Sequence, residues 1–150
     1  MSREKRLVPV LQMAQKKVDE ASRALGYLNQ KIAEEEQTRQ QLKDYESEYM
    51  QLMRGGDTPG RPVNIQAMMR YQAFIQRLEL AQIQQQQQIS LLEQQKQQVT
   101  QHWIQVRAKA QAVEKVMVQL RSEETLLAAR AEQKLMDELS SLKNYARRSY

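Results

Sequence analysis

A chain of 150 residues with only 5% aromatic content and a mean hydropathy of −0.78 has too little apolar bulk for a thick globular core. The absence of cysteine excludes disulfide staples and thiolate metal sites. A net charge of +5 and a pI near 9.5 suit an acidic partner, whether nucleic acid, anionic lipid or an acidic protein cavity, without choosing among them.

Glutamine, leucine, alanine, glutamate, lysine and arginine dominate. All are good helix formers, and the β-branched and aromatic runs of strands are missing, so an all-α fold is expected. No stretch approaches the roughly 20 apolar residues of a membrane span, and the first residues lead into an amphipathic pattern instead of a signal-peptide core. A cytoplasmic location is the expectation.

In chain order, Pro9 predicts a helix start, since proline is favoured in a first turn, and the helix is expected over about 9–53, with the residues before Pro9 either extending it or fraying. Its apolar positions step four, three, four, three through Leu7, Leu11, Ala14, Val18, Ala21, Leu25, Leu28 and Ile32, a heptad seam for one partner helix. The same count then lands on Glu35 and Arg39, recovers at Leu42, meets Glu46 and reaches Tyr49 and Met53. Gly26 interrupts this helix at a cost of about 1 kcal/mol. It is either a tolerated glycine or a place where another helix comes close.

The stretch Arg54 to Pro62 holds three of the four glycines and two of the three prolines, and it marks the turn. A second helix is expected from about Asn64, a good N-cap, to about 147. Its seam runs through Ile75, Leu78, Gln82, Gln85, Ile89, Leu92, Lys96, Val99, Trp103, Val106, Ala110, Val113, Met117, Leu120 and Leu127. Beyond that, Ala131, Leu135, Leu139, Leu142 and Ala146 fit after one slip of phase. The product is a two-helix antiparallel coiled-coil hairpin with a longer second helix. At 1.5 Å per residue the helices would measure roughly 70 Å and roughly 125 Å. If the fold is centred near residue 58, Leu7 lies opposite about residue 109, and residues 114–150 project without a partner.

The glutamine-rich tract from Gln82 to Gln98 is a solvated helical surface, since the heptad survives through it. His102 has no second histidine or cysteine with which to build a metal or nucleophilic site. Gly55-Gly56 lacks the strand and lysine of a phosphate loop, and Glu34, Glu35 and Glu36 stand on an open helix with no cleft to raise a carboxyl pKa. No enzyme, cofactor or metal site is expected. Arg3, Lys5 and Arg6 should lie near Arg107, Lys109, Lys115 and Arg121, either as a solvated basic face or as a basic end that enters an acidic hole. Met117 and Leu120 would carry the apolar stripe at that end. Near the turn, Tyr45 and Tyr49 meet Tyr71, Phe74, Ile75 and Leu78. A two-helix seam cannot seat them all, so Phe74 above all should be exposed as an interaction hot spot.

At these residues the chain resembles the FliJ family of flagellar type III export proteins, to which the YscO-type proteins are related. The carrying motifs are Asp44-Tyr45-Glu46-Ser47-Glu48-Tyr49 and Tyr71-Gln72-Ala73-Phe74-Ile75-Gln76-Arg77-Leu78-Glu79, with Ala21 to Gly26 similar to the family's first-helix segment. The resemblance implies a fold similar to the central stalk of rotary ATPases. It also implies a non-enzymatic stalk and general chaperone of flagellar export, at the cytoplasmic face of the inner membrane. The implied partners are a hexameric FliI-type export ATPase, an FlhA-type export gate protein and export chaperones, with no nucleic acid and only indirect membrane association. It places the gate-binding patch at Leu42, Tyr45, Tyr49, Phe74, Leu78 and Ala81, and the ATPase-ring contact at the end bearing the termini. A basic nucleic-acid- or membrane-binding coiled coil, or a self-associating one, are the alternatives from residue chemistry alone.

Overall fold

In the computed structural model, which describes residues 2–55 and 64–148, two helices account for nearly every described residue: α1 (Arg3–Met53) and α2 (Ile65–Arg148). No strand occurs among the described residues. The fold is an all-α, antiparallel two-helix hairpin, as composition and heptad spacing predict.

The helix ends follow from local chemistry. Ser2 caps α1: its Oγ accepts from the Lys5 amide at 3.2 Å, and its carbonyl accepts from Arg6 at 3.3 Å. This cap starts the helix ahead of Pro9, which lies inside it, so of the two alternatives the residues before Pro9 extend the helix. The serine satisfies an amide that would otherwise be an orphan of the first turn. At the other end the Arg54 amide donates to the Met50 carbonyl at 3.1 Å and Gly55 to Leu52 at 3.2 Å, and Gly55 takes a φ of 101°. A glycine in the left-handed region closes a helix at little steric cost. The rest of the expected turn, Gly56 to Pro62, lies outside the described residues. Asn64 caps α2 as expected, its side-chain oxygen accepting from the Gln66 amide at 3.1 Å.

The contacts divide the chain into two compact units, Met1–Asp19 with Ile104–Tyr150, and Glu20–Trp103. In the second unit the core is a single layer: Ala21 and Leu28 of α1, with Ile75, Leu78, Ile89 and Leu92 of α2, are buried. Every one is a position the heptad count put on the seam. In the first unit Val106, Ala110 and Met117 are buried, with Leu7, Leu11, Ala14, Val18 and Leu120 half-buried. Residues 125–148 of α2 are exposed throughout.

Pairs across the seam fix the register. Arg121 donates to Glu4, Trp103 to Ser22 and Arg39 to Gln86. Within the Glu20–Trp103 unit the step from Ser22 to Arg39 is matched by an equal step from Trp103 to Gln86. Leu7 therefore lies opposite about residue 118, since it sits three residues beyond Glu4. The expected partner, residue 109, falls nine residues short of that position. The covered part of α2 extends accordingly: Met117, expected to project, is 7% exposed, and the exposed arm begins after Glu124.

Gly26 is settled by space. A Cβ built there meets nothing within 4 Å, so no helix comes close, and the tolerated-glycine reading holds.

Candidate functional site

Two surfaces carry the candidate residues, one in each unit. The first is aromatic. Tyr49 on α1 stands one turn after Tyr45, and Tyr71 and Phe74 stand three apart on α2, so the hairpin brings all four rings to one end of the Glu20–Trp103 unit. Tyr49 lies between the two α2 rings: its centroid is 4.4 Å from Phe74, tilted 43°, and 5.8 Å from Tyr71, tilted 60°. Such separations are those of favourable offset aromatic pairs.

Burial sorts this set into support and display. Leu78 is 6% exposed and belongs to the seam beside Ile75, so it holds the patch in place from below. Tyr49, Leu42 and Ala81 are half-buried. Phe74 stays 38% exposed and Tyr45 52%. A shallow groove between the helices is lined by Tyr49, Ala67, Arg70, Tyr71 and Phe74. Ala67 and Arg70 were not among the residues singled out from the sequence. The signal was present: Ala67 stands one turn before Tyr71 and Arg70 one turn before Phe74.

Below the patch the seam changes character. Glu46 accepts from Gln82, and Glu35 accepts from Gln85 through both its carboxylate and, at 3.1 Å, its backbone carbonyl. The apparent failure of the heptad at Glu35 and Glu46 is a pair of polar layers, each glutamate matched by a glutamine of the facing helix. Arg39 completes the segment from the edge, reaching Gln86 at 2.7 Å and Glu36 at 3.2 Å.

The second surface is basic. Arg3, Lys5 and Arg6 occupy the first turns of α1, and Arg107, Lys109, Lys115 and Arg121 lie on α2, all exposed. Arg121 is committed to Glu4, with Nε at 2.8 Å. The hydrogen bond, and after it the negative charge of Glu4, raise the Arg121 guanidinium above its ordinary value. This contact brings Arg121 beside Arg3, Lys5 and Arg6. Lys109, twelve residues back along α2, is about 18 Å away along the helix axis, and the register sets Arg107 and Lys109 near Lys16 and Val18. The expected single cluster is thus two, because the register differs from the one assumed. Leu120 is half-buried next to Arg121, and Met117 lies in the seam.

Among the described residues no group of three histidine, cysteine, aspartate or glutamate side chains could hold a metal ion, and no buried polar side chain is left without a partner. No helix is long and apolar enough to cross a membrane among those residues. What both surfaces offer is exposed apolar or cationic area on a rigid helical frame, which is binding chemistry.

Comparison with known proteins bears on the whole chain. Neither the curated proteins nor the solved structures contain a match. The family described as Flagellar FliJ protein matches residues 3–149, which takes in both helices and both surfaces, and the chain belongs to that family.

Proposed function

We propose that the chain, a component of the flagellar export apparatus by its family, is a non-enzymatic coupling stalk and general chaperone. Its termini-bearing unit docks with the hexameric export ATPase, and its aromatic patch engages the FlhA-type export gate and so serves exchange with substrate chaperones. The observation that supports this reading best is the aromatic patch: a phenylalanine left exposed on top of a tyrosine, beside a groove, is costly to leave in water unless a partner covers it. The basic residues around Arg3, Lys5, Arg6, Lys115 and Arg121, with the exposed arm of α2 after Glu124, suit insertion into an acidic cavity. On this reading the protein sits at the cytoplasmic face of the inner membrane.

Binding of the gate's cytoplasmic domain to the full chain, read by titration calorimetry, tests the patch. Phe74→Ala should weaken binding about tenfold or more, since exposed aromatic anchors carry about 2 kcal/mol or more of an interface. It should leave helicity unchanged, because Phe74 is not in the seam. Unchanged affinity with Phe74→Ala would remove the patch from the gate.

A further inference from the structure

The exposed arm of α2 has an internal symmetry that the stalk reading does not use. Counted outward from Leu135, its apolar stripe steps four residues to Ala131 and four to Leu139, then three to Ala128 and three to Leu142. A further four residues reach Glu124, half-buried, on one side and Ala146 on the other. The spacing reads the same in both directions. Chemistry is matched as well as spacing: about a two-fold axis at Leu135, Leu139 falls opposite Ala131 and Leu142 opposite Ala128, so each large side chain meets a small one. An isologous interface requires this self-complementarity, since any residue i that contacts j must have j contacting i.

The charges at the edge of the stripe agree with the same axis. At 3.6 residues per turn, Glu123 and Arg148 lie on one flank. With the two-fold at Leu135, Glu123 of one chain lies within one residue of the level of Arg148 of the other, whereas a parallel pairing would set Glu123 beside Glu123 and Arg148 beside Arg148. Leu135, Leu139 and Leu142 are all more than half exposed, so the surface is open in the single chain.

We propose that this arm is a self-association surface, and that two copies of the chain pair antiparallel through residues 124–146, with Leu135 on the two-fold axis. The inference does not rest on the stalk reading. It has a consequence for it: a paired arm is covered, so self-association competes with any other partner of the arm, and the pair is a resting form that another partner must open.

The chain contains no cysteine, so a single introduced thiol reports by itself. In the full chain under mild oxidation, Leu135→Cys should cross-link to a second Leu135→Cys chain. Leu142→Cys alone should not, because an antiparallel pair holds the two 142 positions about 21 Å apart along the axis, beyond disulfide reach. Leu142→Cys mixed with Ala128→Cys should cross-link. Sedimentation equilibrium across the micromolar range should show a monomer–dimer equilibrium that Leu135→Asp weakens at least about tenfold, since it sets two carboxylates face to face on the axis. A monomer at every concentration would overturn the proposal, as would self-cross-linking of Leu142→Cys or a dimer indifferent to Leu135→Asp. All of these readouts are made without the ATPase or the gate, so they stand or fall separately from the stalk reading.

Discussion

Single residues in this molecule act mostly through the backbone and the seam. Gly26 has open space where a side chain would go and lies well inside α1, so Gly26→Ala removes a helix penalty without introducing a clash. It should stabilise the fold by about 0.5–1 kcal/mol, read as a rise in the denaturant midpoint at unchanged slope. A loss of stability would mean that the glycine is needed for a close approach. The Glu4–Arg121 pair makes a different prediction. Arg121 has its pKa raised in the folded state, so its contribution is fully present below the ordinary arginine value and is lost only as pH rises through the still higher folded value. The Arg121→Ala change in melting temperature should therefore be flat from about pH 6 to about pH 10 and shrink with added salt, as expected for an exposed pair. A marked drop inside that window would assign the pair's titration to another group. The sequence leaves the residues before Pro9 open between helix and fraying, and the Ser2 cap decides them in favour of helix.

At the scale of the elements, both helices and nearly all of the seam were legible, because a two-helix core has a single layer and the heptad alone decides which residues enter it. Ala21, Leu28, Ile75, Leu78, Ile89, Leu92, Val106 and Ala110 are all on the counted stripe and all buried. The register was not legible. It depends on how many residues the turn consumes, and a stretch rich in glycine and proline does not announce its own length. That one uncertainty displaced the basic residues from one another and hid the meaning of Glu35 and Glu46, which read as defects until Gln85 and Gln82 came opposite them. Polar layers of this kind fix alignment at some cost in stability. The Glu46→Leu, Gln82→Leu double variant should therefore raise the melting temperature, whereas Glu46→Leu alone, leaving Gln82 without its acceptor, should lower it or leave it unchanged. A double variant that melts earlier than either single one would contradict the assignment of these layers.

For the whole molecule, composition excluded more than it identified. The shortage of aromatic residues ruled out a thick core, but no count could name a partner. The aromatic patch was legible because the seam's capacity is limited: about two residues per heptad on each helix cannot absorb every ring near the turn. The family match over residues 3–149 makes the chain a component of flagellar export, and the proposed coupling of ATPase to gate requires that one chain use both surfaces. The most direct test is ATP hydrolysis by the cognate export ATPase as the full chain is titrated in, beside an Arg6→Glu, Lys115→Glu variant whose helicity is checked by circular dichroism. Stimulation by the native chain and its loss in the folded variant are the predicted result. A native chain that leaves hydrolysis unchanged, or a variant that stimulates as well as the native one, would contradict docking of the basic end with the ring.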